Sequence, residues 1–143
     1  MHRVTKSGGV VATTMWEGSR AHELTGRFWD AAAAIDPTAK RPAERLGSYG
    51  SAEALSDLWK DAALTDIEVT DLTMACQFAS FDELWQRYLS GEGPSGAYVV
   101  SLTEDRREAL KQRLRESILR GRSDGPFALT AKSWAVRGNV PKK

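Results

Sequence analysis

Residues Lys6 to Glu17 read K-S-G-G-V-V-A-T-T-M-W-E, and this stretch limits the folds open to the chain more than any other. The Gly8-Gly9 turn releases directly into Val10-Val11-Ala12-Thr13-Thr14-Met15, a short apolar, β-rich run with no period-2 alternation. Such a run predicts a strand buried on both faces, which belongs in the middle of a sheet. It begins only nine residues after Met1, however, and an interior parallel strand needs a neighbour on each side. The reading is an α/β chain whose central-type strand lies close to one end.

Size and charge narrow the function. At 143 residues, with 41% apolar and 27% charged side chains, the chain has room for one sheet and its helices in a single domain. Twenty basic against nineteen acidic residues give a net charge of +1, which points to neither nucleic acid nor an acidic partner. Cys76 is the only cysteine, so no internal disulfide can form. His2 and His22 are too far apart to suggest a metal constellation. The N-terminal Met1-His2-Arg3-Val4-Thr5-Lys6 lacks the apolar core of a signal peptide, and no run approaches the roughly 20 apolar residues of a membrane span. The expectation is a soluble protein of the reducing cytoplasm with no membrane contact.

After the first strand, Ser19 is a plausible N-cap for a helix with Leu24, Phe28, Ala31, Ala32 and Ile35 on one face, ended by Pro37. Thr38 to Gly50 reads as a basic, proline-containing surface loop. Ser51 opens a second helix with Leu55, Leu58, Trp59 and Ala62 as its apolar stripe. In the strand that follows, Ile67 and Val69 share one parity and Leu72, Met74, Cys76 and Phe78 the other. That predicts a bulge near Thr70-Asp71 or a strand passing between two packing environments. Ser80-Phe81-Asp82-Glu83 is a capping box before a helix carrying Leu84, Trp85, Tyr88 and Leu89. A glycine-rich loop from Gly91 to Gly96 and a brief apolar run, Ala97 to Leu102, lead to a helix capped by Thr103. Its Leu110, Leu114 and Ile118 face inward, and its arginines form a solvated face. Ser123-Asp124-Gly125-Pro126 is a turn, and Phe127 to Val136 is the last strand.

This order, together with Arg3-Val4-Thr5-Lys6-Ser7-Gly8-Gly9-Val10-Val11-Ala12 and the helix-to-strand passage Ser51 to Val69, resembles the C-terminal half of class I S-adenosylmethionine-dependent methyltransferases of the ubiquinone and menaquinone biosynthesis type. Phe127 to Val136 is similar to that family's closing strand. The resemblance implies half of a Rossmann-like sheet, with two parallel strands, one antiparallel strand and flanking helices. It also implies inserted cap segments at 17–50 and 79–126 within one partial domain, 1–143. Thr5 and Ser7 replace a usual leucine and proline, and Ala63 stands where the family has a helix-ending glycine. The family's first strand, its glycine-rich cofactor loop and the acidic residue after its second strand have no counterpart. Gly91-Glu92-Gly93-Pro94-Ser95-Gly96 fits G-x-G-x-x-G, but a capped helix rather than a strand precedes it, so it is read as a loop.

What the resemblance implies for function is the substrate-side part of a small-molecule methyltransferase, inactive alone. S-adenosylmethionine is the family's cofactor, but none is expected to bind this chain by itself. Ligands of open α/β folds bind at the carboxyl ends of the parallel strands. The candidate contacts for a methyl acceptor are therefore Trp16 and Glu17, which leave the first strand there, and the cap aromatics Phe28, Trp29, Trp85 and Tyr88. At helical spacing with leucines, the cap rings are also ordinary core residues. His22 reads as a solvated side chain and Cys76 as a small buried hydrophobe. The rival readings are a binding module for an apolar small molecule and a non-catalytic subunit that completes a separate methyltransferase chain. An open edge on the strand 10–15 implies self-association or a partner chain.

Overall fold

The structure, a computed structural model, describes residues 2–17, 22–39 and 50–142. In chain order its elements are β1 (Val10–Trp16), α1 (Glu23–Ile35), α2 (Ala52–Asp61), β2 (Thr65–Phe78), α3 (Phe81–Leu89), α4 (Gly93–Ser101), α5 (Glu104–Leu119) and β3 (Phe127–Asn139). The strands form one open sheet in the order β1-β3-β2. Two parallel strands and one antiparallel strand were expected, but the sheet holds no parallel ladder, and both paired neighbours are antiparallel. Since β1 and β2 each oppose β3, they point the same way with the returning strand between them.

Register assigns the faces. On one face lie Val11, Thr13 and Met15 of β1, Trp134, Val136 and Gly138 of β3, and Val69 of β2; on the other lie Val10, Ala12, Thr14 and Trp16, Phe127 to Arg137 at odd numbers, and Glu68 to Phe78 at even numbers. Helix α2 covers the first face at the end of the sheet where β1 pairs with β3, and there Val11, Trp59, Leu64, Val136 and Val140 form a small core with Ile67 and Val69 at its margin. The backbones approach closely there. A Cβ at Gly138 would lie 3.2 Å from both the Trp59 ring and the Thr65 carbonyl oxygen. Helices α1, α3, α4 and α5 cover the second face at the far end, around Phe78, Phe127 and Leu129. The Phe78 and Phe127 rings stack at 5.3 Å. Each large apolar side chain withdrawn from water in this way stabilises the fold by roughly 1.5–3 kcal/mol.

This diagonal arrangement explains the parity of β2. The strand keeps its register through Thr70 and Asp71 and simply passes from the α2 core to the helical core; its irregularity lies at Thr65/Glu68 instead, with Asp66 at φ 49°. It also corrects the reading of β1. Val11 is buried and Thr13 and Met15 half-buried, but Val10, Ala12, Thr14 and Trp16 are exposed, so β1 is an edge strand covered on one face only. Its residues hid that alternation because the open face carries small and aromatic side chains in place of charges.

Most helix signals act as expected. Ser51 Oγ accepts the Ala54 N–H at 3.2 Å. Ser80 Oγ accepts the Glu83 N–H at 3.2 Å, Glu83 Oε2 accepts the Ala79 N–H at 2.8 Å, and Asp124 Oδ1 accepts the Phe81 N–H at 2.9 Å, tying the turn before β3 to α3. Helix α1 starts at Glu23 with His22 in the capping position; Ser19, the expected cap, lies outside the described residues. Thr103 occupies the N-cap of α5, but its side chain makes no capping bond. The expected glycine-rich loop and apolar run are in fact α4, which begins at Gly93 with Pro94 in its first turn and buries Gly96 and Val99.

Candidate functional site

Strand β1 ends at Trp16 opposite Ser133, whereas β3 extends back to Phe127. On its β1 side, the backbone of Thr130 therefore has no strand partner among the described residues. The start of α1 supplies substitutes: Glu23 Oε2 accepts the Thr130 N–H at 3.1 Å, and the His22 imidazole hydrogen-bonds the Thr130 backbone. Two side chains thus stand in for one strand residue. Arg27 holds Glu23 in place, donating to Glu23 Oε1 at 2.7 Å and to the Ser117 carbonyl of α5 at 3.1 Å. The Trp16 ring stacks on His22 at 4.7 Å, and the Glu17 N–H donates to the Lys132 carbonyl at 3.0 Å.

The electrostatics follow from burial. His22 is only 2% exposed, and desolvation pushes its pKa below the ordinary value; the Thr130 hydrogen bond and the negative charge of Glu17 oppose this with smaller effect. It is a neutral imidazole at pH 7, and its Nδ1 has no hydrogen-bond partner among the described residues. The Arg27 hydrogen bond, then that from the Thr130 backbone, hold the Glu23 carboxyl below the usual range, so it is ionised. His22 presents its Nδ1 beside the Trp16 indole face. Among the described residues no group of three His, Cys, Asp or Glu could hold a metal ion.

The six residues expected to contact substrate separate into two environments. Trp16 is 63% exposed and Glu17 half-buried, both at the His22 cluster. Phe28, Trp29, Trp85 and Tyr88 lie in the helical core, none more than 9% exposed, where they pack on one another: Phe28 against Tyr88 at 4.6 Å and Trp29 at 5.1 Å, and Trp85 against Tyr88 at 6.2 Å. Burial raises the Tyr88 pKa, and the phenol donates to the Leu24 carbonyl at 3.3 Å. Cys76 is half-buried against the same core.

Two clefts lie elsewhere. One, of about 580 Å³, is the uncovered sheet face formed by Ala12, Thr14, Thr70 and Ala135, rimmed by the Glu68–Arg137 pair at 2.6 Å. The other, of about 470 Å³, runs between α1, the end of α5 and the start of β3, with Arg27, Arg120 and Arg122 around Ile118, Phe127 and Leu129. Two of these cations already serve the end of α5: Arg27 bonds the Ser117 carbonyl and Arg122 Nε the Leu119 carbonyl, the usual use of cations at a helix C-terminus.

No protein-family model matches the chain, and no curated protein matches it. His22 is the residue that sequence reasoning misjudged. A histidine just before a helix reads as solvated, and what buries it is the unfilled edge of β3 more than a hundred positions later. The available signal was the length mismatch between the seven-residue β1 and the thirteen-residue β3. Among the described residues no helix is long and apolar enough to cross a membrane.

Proposed function

We propose that the chain is the substrate-side part of a small-molecule S-adenosylmethionine-dependent methyltransferase. One observation carries the reading: a returning strand lies between two strands that run the same way, and a helical segment follows each of those two. That is the arrangement the resemblance implies for the closing half of such a sheet. Two details support it. Gly8 turns at φ 73° into β1, and Ala63 takes φ 56° at the position where the family has a glycine. The G-x-G-x-x-G run of Gly91 to Gly96 is not a cradle for the cofactor, because it follows α3 and runs into the first turn of α4 and no strand feeds it. The methyl acceptor would lie by the open end of β1, at Trp16 and Glu17, with the helical core as a rigid wall behind it. Methyl transfer is an in-line displacement that depends chiefly on alignment and exclusion of water.

The test is to join the chain, upstream of Met1, to the strand and glycine-loop half of a methyltransferase with this sheet order. The chimera is then supplied with S-adenosylmethionine carrying a radiolabelled methyl group and with a small-molecule extract. Label transfer that depends on the present chain, and that falls at least tenfold in Trp16→Ala, is the expected result. A folded chimera that binds the cofactor but transfers no label would overturn the reading.

A further inference from the structure

The two edges of the sheet are built differently. The β2 edge carries Asp66, Glu68 and Asp71 and an irregularity at Thr65/Glu68, the devices that keep an exposed strand from pairing with another. The β1 edge has none of them: Val-Val-Ala-Thr-Thr-Met-Trp contains no charge, no proline and no bulge. Among the described residues β1 pairs only with β3. The bonds flanking the strand, Val140 N–H to the Gly9 carbonyl and Glu17 N–H to the Lys132 carbonyl, set the phase of the ladder. Odd-numbered residues of β1 turn their backbone groups toward β3, and Val10, Ala12, Thr14 and Trp16 turn theirs outward.

We propose that this edge pairs with the same edge of a second copy, antiparallel across a two-fold axis at Thr13, to give one continuous six-stranded sheet. The ladder phase and the charges select this occupant and this register. A two-fold antiparallel pairing must set outward residues opposite outward ones, and the register centred on Thr13 alone pairs the whole strand with itself. It sets Val10 against Trp16 and Ala12 against Thr14 on one face, with Val11 against Met15 and Thr13 against Thr13 on the other. Every pair is apolar or small, with a β-branched or aromatic member in each, the combinations that favour cross-strand packing. Charge excludes the alternatives. Pairing β2 with β2 would oppose acidic residues, and pairing β1 with β2 would set Asp66, Glu68 and Asp71 among valine, methionine and tryptophan while leaving an unclosed, head-to-tail contact. The isologous pair closes, and it covers Val10 and Trp16, which are 62% and 63% exposed in the single chain.

This inference needs only the free edge; in the methyltransferase reading a strand of the cofactor-binding half would take that same edge, so the dimer is expected of this chain by itself and not of the joined chimera. Sedimentation velocity of the full chain at about 50 μM is expected to give twice the monomer mass. In a Cys76→Ala background, Thr13→Cys sits opposite itself in a non-hydrogen-bonded pair and is expected to oxidise to a covalent dimer. Thr14→Cys faces Ala12 and is expected to form no covalent cross-link under the same oxidant. Thr14→Pro removes an N–H that β3 does not use, so it should abolish the dimer while the far-UV spectrum is kept. A wild-type monomer at 50 μM would overturn the proposal. So would a dimer that survives Thr14→Pro, or that cross-links through position 14 and not through position 13.

Discussion

Helix α2 ends in an alanine that the backbone treats as a glycine. Ala63 sits at φ 56°, its N–H donates to the Lys60 carbonyl at 2.8 Å, and the Leu64 N–H donates to the Trp59 carbonyl at 3.1 Å. These are the paired bonds of a Schellman ending, completed by the packing of Leu64 and Trp59 in the α2 core. Holding an L-residue in the left-handed region costs roughly 1–2 kcal/mol. Ala63 is exposed, so removing its methyl group gives up no burial. Ala63→Gly therefore relieves the strain and gives back about 0.4–1 kcal/mol through the greater freedom of glycine in the unfolded chain. The net expectation is a stabilisation of about 0.5–1 kcal/mol, or ~2–4 °C in Tm for a chain of this size. Urea unfolding at one fixed protein concentration, followed by tryptophan fluorescence, measures it as a higher midpoint at unchanged slope. Ala63→Val provides the opposite arm, because a β-branched residue is held worse at positive φ and should destabilise by more than 1 kcal/mol. A glycine variant no more stable than wild type, with a valine variant near neutral, would refute the strained ending.

Three further outcomes are expected. Because burial lowers the His22 pKa in the fold, the neutral form is the stabilising one. Stability should be complete above the ordinary value of 6.5 and fall as pH drops from there through the lowered folded value, a loss that His22→Gln should remove. The contribution of Glu23, whose carboxyl is also lowered, should vanish separately as pH falls below its ordinary 4.5; urea midpoints between pH 2 and 8 resolve the two windows. Phe28→Ala should cost about 3–5 kcal/mol as a cavity in the helical core, whereas Trp16→Ala should cost less than about 1 kcal/mol. Equal and small losses at both positions would mean that Phe28 is not core.

Much of the fold could be read from local signals because local physics decides it. The caps at Ser51 and Ser80, the inward stripe of α5 and the three strands are fixed by side chains within a few positions of the backbone they satisfy. The failures share a cause of the opposite kind. Gly91 to Gly96 reads as loop because glycine and proline break helices in isolation, yet Pro94 falls in the first turn of α4, where its missing N–H costs nothing, and Gly96 is buried where a Cβ would lie 2.7 Å from the Gly91 carbonyl carbon. Strand β1 reads as doubly buried because hydrophobicity records what a residue tolerates, not what covers it. Only register showed that its two faces meet different surroundings.

The candidate site was legible as a place and illegible as a set of residues. Topology could put the ends of β1 and β2 on the same side, since both strands feed helical segments and both oppose β3. It could not say that β1 stops six positions short of the start of β3, opposite Ser133 and not Phe127. That shortfall decides which residues can act. It leaves Thr130 to be satisfied by His22 and Glu23, draws α1 against β3, and seals Phe28 and Trp29 beneath it while Trp16 stays open to solvent. A β1 longer by three residues would pair with Thr130 directly and release His22 and Glu23. The polar chemistry at this end of the sheet is thus a consequence of strand length, and the residues to vary in any search for substrate contacts are Trp16, Glu17 and His22 before any ring of the helical core.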